Sequence, residues 1–176
     1  MATPNKWVYC LETTENHPLS EQYKSCLELL DDITKQESDK KIKTPFFNEM
    51  ALNLDAVELA KNKSSRNSTM DVGFGVQERV NRKINAFILC EYKLNCKSIN
   101  NIHEKDLMKK VNGSRVLLGS EIPIDSKYLF IFKSKIKSTA IHRLKRFGKG
   151  KQIFIALDLQ DLYNNYFKKE GTTTFE

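Results

Sequence analysis

The sequence predicts one α/β (α+β) domain, a single mixed β-sheet flanked by helices. Three observations carry this. The segments AFILC at 86–90 and YLFIF at 128–132 are unbroken apolar runs, as in strands buried on both faces. Between and around them lie stretches with apolar residues at helical spacing rather than a series of short alternating strands. A chain of 176 residues is also long enough to bury roughly two thirds of its unfolded surface around one core without disulfides.

Taken in order, 7–11 is an apolar–polar start that reads as a strand or a tucked terminus. Ser20 suits an N-cap, and Tyr23, Leu27, Leu30 and Ile33 predict a helix over 20–36. The charged, aperiodic ESDKKIKT at 37–44 predicts a linker ended by Pro45. A second helix is expected over 46–61, with Phe46, Met50, Leu54 and Val57 on its buried stripe. Glu49 sits amid that apolar surface, whereas Asp55 and Glu58 are expected in water. A polar connector, 61–68, leads directly into a β-hairpin over 67–95.

Beyond the hairpin, a helix over 100–111 is expected to end at a Gly113 cap, with Lys105, Lys109 and Lys110 outward. A strand follows at 127–133, then a basic helix from a Ser138 cap to Gly148 with Arg143, Lys145 and Arg146 solvated. A strand at 152–157, a helix over 158–169 and a frayed tail complete the reading.

The cysteines, Cys10, Cys26, Cys90 and Cys96, form no CxxC pair, and His17, His103 and His142 lack metal-ligand spacing, which argues for free thiols in a reducing compartment and against a zinc site. No charged-then-apolar leader opens the chain and no apolar run is long enough for a bilayer, so a cytoplasmic protein is expected. The net charge of +7 draws polyanions, and the excess gathers toward the C-terminal half. Arg143, Lys145, Arg146 and Lys149 are the expected nucleic-acid contacts, DNA first, with no membrane partner.

The hairpin carries the chemistry. Val72, Phe74 and Val76 alternate with Asp71, Gly73 and Gly75, and the glycines leave room for a backbone or ligand to approach. With a turn centred on Asn81, Asp71 and Glu91 lie equally far from it and so face one another. Side chains repeat every second residue in a strand, so Lys93 shares the Glu91 face. Two acids and a lysine thus converge. Hard divalent cations take oxygen ligands of this kind, and a lysine beside them can hold or help deprotonate an attacking water.

These residues resemble the PD-(D/E)xK nuclease superfamily, with Asp71 as the first acid and Glu91-Tyr92-Lys93 as an ExK tripeptide closing an apolar strand. Met70 stands where the superfamily's name has proline. The resemblance implies a restriction-endonuclease-like core over 45–133, preceded by a helical elaboration, 1–44, and followed by a basic helix–strand–helix extension, 134–170. It implies Mg²⁺ or Mn²⁺ held by Asp71, Glu91, the Tyr92 carbonyl and a glutamate of the preceding helix, for which Glu49 is in the matching place. It further implies a DNA endonuclease in which Asp71, Glu91, Lys93 and Glu49 act on the phosphodiester. The alternative is a non-catalytic protein of the same fold, a nucleic-acid-binding or inhibitor/immunity-type partner whose acids form only an ion cluster. A homodimer and a protein partner are compatible with either.

Overall fold

The computed structural model describes residues 5–39 and 41–169. Seven strands form one mixed sheet: β1 (Trp7–Tyr9), β2 (Leu27–Leu29), β3 (Met50–Asn53), β4 (Val72–Glu78), β5 (Asn85–Tyr92), β6 (Ile124–Ile131) and β7 (Phe154–Leu157). The spatial order is β2-β3-β4-β5-β6-β7, with β1 pairing the distal half of β4 beyond the reach of β3. Strands β2 to β5 are mutually antiparallel, while β5, β6 and β7 run parallel. The predicted α/β class and single domain are therefore observed.

Pleating divides the core into two layers. Phe87 and Leu89 point to one face, against α4 (Leu54–Lys61), α5 (Glu104–Leu118) and α6 (Ser134–Leu144), through Leu54, Val57, Leu107, Val111, Ala140 and Leu144. Ile88 and Cys90 point to the other, against α3 (Leu30–Gln36) and the C-terminal segment formed by α7 (Leu159–Leu162) and a π turn, Tyr163–Phe167. Two short helices, α1 (Leu11–Glu15) and α2 (Pro18–Gln22), cross the first face. The α1 backbone lies so close to β4 that a Cβ on Gly75 would come 2.5 Å from the Thr14 nitrogen, so this glycine accommodates a helix rather than a ligand.

Four expected helices take a different form. The 20–36 helix divides into α2, a 3₁₀ turn (Lys24–Cys26), β2 and α3, because Leu27–Leu29 pairs with Met50–Leu52 of β3; sheet hydrogen bonds override the local helical spacing. The 46–61 helix likewise begins at Leu54, after Asn53 caps it by accepting the Ala56 amide, and the four residues before it are β3. The 1–44 segment is thus not merely helical, since β1 and β2 both belong to the sheet. In turn, α5 continues through Gly113 to a left-handed Gly119 (φ 70°). Gly113 is there for contact: a Cβ would lie 2.0 Å from the Ser68 carbonyl oxygen.

The basic helix starts one turn early, at Ser134, because its buried stripe of Ala140 and Leu144 is joined by Ile136 packing at its start. The expected tail beyond 170 lies outside the described residues. No helix among the described residues is long and apolar enough to cross a membrane.

Candidate metal centre

The hairpin register is the predicted one. Val72 faces Cys90, Phe74 faces Ile88 and Val76 faces Ala86, and the turn closes with the Glu78 amide donating to the Ile84 carbonyl. Continuing that register by one pair sets Asp71 opposite Glu91, on the α4/α5 face. Asp71 is held on both sides: its Oδ2 accepts the Tyr92 amide at 2.6 Å and its carbonyl accepts the Leu54 amide at 3.0 Å. Both acids are nearly sealed from solvent, Asp71 at 4% and Glu91 at 1% exposure.

Glu91 carries two cations on one oxygen. Its Oε1 accepts from Lys93 Nζ at 2.7 Å and from Lys110 Nζ at 2.6 Å, while Oε2 is buried with no partner among the described residues. Lys110 was expected in water. Instead it extends the inward stripe of α5: Ser114, one turn on, is fully buried, donates its hydroxyl to the Lys110 carbonyl and accepts the Met70 amide.

Two further acids complete the cluster. Ligand oxygens of Glu37, Asp55 and Asp71 all lie within 4.8 Å of one another. Glu37 is the C-cap of α3 and comes around the sheet end from the opposite layer. Asp55 lies in the first turn of α4, and its Oδ1 accepts the Thr69 hydroxyl at 2.5 Å, so the stretch before Asp71 is bound to α4 as well as to α5. Two helix ends and a strand end therefore converge on one point.

Glu49 does not join them. It precedes β3 rather than lying on a helix, its Oε2 accepts the Phe47 amide and its carbonyl accepts the Leu30 amide. Since Asn53 pairs with Val72, Glu49 falls about five residues, roughly 16 Å, from the Asp71 end of the sheet. The glutamate that lies beside Asp71 is Glu37, at the end of α3. Tyr92 contributes its amide to Asp71, and its hydroxyl, on the other face, meets Thr34 Oγ1 at 2.7 Å. Glu58 was also expected in water; it is buried and its Oε1 accepts from Asn62 and the Asn67 amide, bracing the connector.

Electrostatically the cluster is short of positive charge. Burial, then the neighbouring Glu91, push the Asp71 carboxyl up to about 8, against which Lys110 and the Tyr92 amide pull only partly. Burial and then Asp55 and Glu91 raise Glu37. For Lys110, burial opposes the charge, but Glu91, Asp71 and Asp55 outweigh it and hold the ammonium above its usual range. A site that keeps a buried acid protonated near neutrality, beside an unpartnered carboxylate oxygen, has the donor set and the unmet demand that suit a hard cation.

The predicted basic contacts separate. Lys145, Arg146 and Lys149 are exposed. Arg143 is not: its Nη2 donates to the Ile102 carbonyl at 3.1 Å, its Nε is buried and the guanidinium lies 5.3 Å from the Phe147 ring centre, so it secures α6 to the loop before α5.

Compared with protein-family models, curated proteins and solved structures, the chain has no match.

Proposed function

We propose that this protein is a metal-dependent phosphodiesterase acting on nucleic acid, in the first instance a DNA endonuclease of the PD-(D/E)xK kind. The observation that carries the reading is the convergence of Glu37, Asp55 and Asp71 within 4.8 Å beside a Glu91–Lys93 pair. The order helix, strand, helix, hairpin, helix, parallel strand, formed by α3, β3, α4, β4–β5, α5 and β6, supports it, with α4 inserted between the first strand and the hairpin. Asp71, with Glu37 and Asp55, would hold Mg²⁺ or Mn²⁺, and the free Glu91 Oε2 and the Tyr92 carbonyl are the further oxygen donors. When bound, such an ion polarises the phosphate and acidifies a water.

The chain's own groups do the rest. Lys93, 2.7 Å from Glu91, orients the nucleophilic water and offsets charge on the phosphate. Lys110 keeps Glu91 ionised and in place from the helix side. Free cysteines suit a reducing, cytoplasmic setting.

One observation favours the non-catalytic alternative: both lysines share a single Glu91 oxygen, as in a structural ion cluster. Cleavage of plasmid and single-stranded DNA decides between them. With Mg²⁺ or Mn²⁺ the wild type is expected to cut, and Lys93→Ala, purified identically, to lose roughly 10²–10⁴-fold. Equal activity in both means a contaminant. No activity with any divalent ion, together with no metal-binding heat that depends on Asp71, leaves the non-catalytic protein.

A further inference from the structure

We propose that the phosphate backbone of nucleic acid runs in the groove between α5 and residues 66–68, not along the basic helix α6. This rests on the nucleic-acid reading above but concerns binding alone. The groove has a volume of about 970 Å³, more than twice that of the hollow beside Lys93, which is about 400 Å³. Its walls carry Arg66 on one side and Lys105 and Lys109 on the other, all three exposed. Among the described residues none of the three is engaged by a carboxylate. Asn67 and Asn112 supply uncharged amide groups between them. Among the described residues Asp106 is the only acid lining it.

Position ties this groove to the metal centre. Lys109 is followed by Lys110, which pairs with Glu91, and Ser68 is followed by Thr69, which bonds Asp55. The close packing at Gly113 fixes the distance between the two walls. Asp106 also lines the hollow that contains Lys93 and Lys97, so the two depressions adjoin across the first turn of α5. The hollow that contains Lys93 continues this cationic path from the groove toward the Glu91 end of β5. On α6, Arg143 is spent on Ile102 and Phe147, and Lys137 on Asp158 and Asp161, which leaves Lys135 on the helix and Lys145 and Arg146 at its end as the rival contacts.

Binding of labelled single-stranded and duplex DNA, measured by anisotropy in EDTA over a range of salt, tests the assignment without any chemistry. Arg66→Glu with Lys109→Glu is expected to weaken binding more than tenfold at low salt and to lower the salt slope by about two. Lys145→Glu with Arg146→Glu is expected to change it little, and Asp106→Asn to tighten it severalfold. Wild-type-like binding by the groove variant, equal losses from both double variants, no tightening on Asp106→Asn, or no binding by the wild type to either DNA, overturns the proposal. Wild type that binds in EDTA through the groove but cleaves nothing with Mg²⁺ or Mn²⁺ leaves the groove standing and removes the nuclease instead.

Discussion

Two carboxylate–lysine clusters sit at the carboxyl ends of parallel strands in the same sheet, and they behave oppositely. After β7, Asp158 caps α7 by accepting the Asp161 amide, and Asp161 returns the bond to the Asp158 amide. Asp158 Oδ2 also takes Ser134 at 3.0 Å and Lys137 at 2.8 Å. Burial pushes this carboxyl up, but Lys137, the Asp161 amide and Ser134 together outweigh it and hold it below its usual range. At the end of β5, both lysines fall on one Glu91 oxygen, the other has no partner among the described residues, and Asp71 is pushed up to about 8. A cluster whose members are all satisfied stabilises a fold; one left in deficit is a candidate site for a ligand.

The largest expected effect breaks the comparison at the level of chemistry. Asp71→Ala and Glu91→Ala should each lower Mg²⁺-dependent cleavage by roughly 10²–10⁴-fold, with Asp158→Ala close to wild type in the same assay. Comparable losses in all three would erase the distinction.

Next is the response to pH. The Asp71 carboxyl keeps its proton in the fold up to about 8, whereas the unfolded chain releases it near 4. Between those values the native state binds more protons, so this group's contribution makes stability fall as pH rises. Thermal unfolding of the metal-free protein should show that fall, Asp71→Asn should flatten it, and Mg²⁺ should raise Tm by more at pH 8 than at pH 5. A slope unchanged in Asp71→Asn rules out Asp71 as its source.

Asp158 has the reverse sign. Its lowered carboxyl stabilises the fold above the unfolded value near 4 and loses that contribution as pH falls further. Asp158→Ala should cost about 1 kcal/mol at neutral pH, read by urea unfolding, through loss of the cap. The smallest effect is expected at Glu49, where Ala should change stability by about 0.5 kcal/mol or less and leave cleavage intact. A large loss there would return Glu49 to the site.

What the sequence disclosed follows the range of the interactions. Asp71, Glu91 and Lys93 were legible because a hairpin is local: one turn position and a period of two fix all three. Lys110 was half legible, since it lies three residues after Leu107 and four before the buried Ser114, on the same stripe. Asp55 had a signal in the Asn53 cap, which marks where α4 starts and strand β3 stops. Glu37 had none, because nothing near a charged stretch such as ESDKKIKT indicates that the end of α3 meets a hairpin encoded thirty residues later. Arg143 escaped the sequence for another reason: composition counts charges, and only packing reveals that its guanidinium is already engaged.

The spacing of the four acids along the chain also sets when the centre can exist during folding. The β4–β5 hairpin closes a short loop and can pair early, bringing Asp71 to Glu91. Glu37, Asp55 and Lys110 arrive only when α3, α4 and α5 have docked, each closing a longer loop at greater entropic cost. On the proposed metal reading, competence for a divalent ion belongs to the finished molecule, and stopped-flow refolding followed through metal binding should lag behind the formation of the strands.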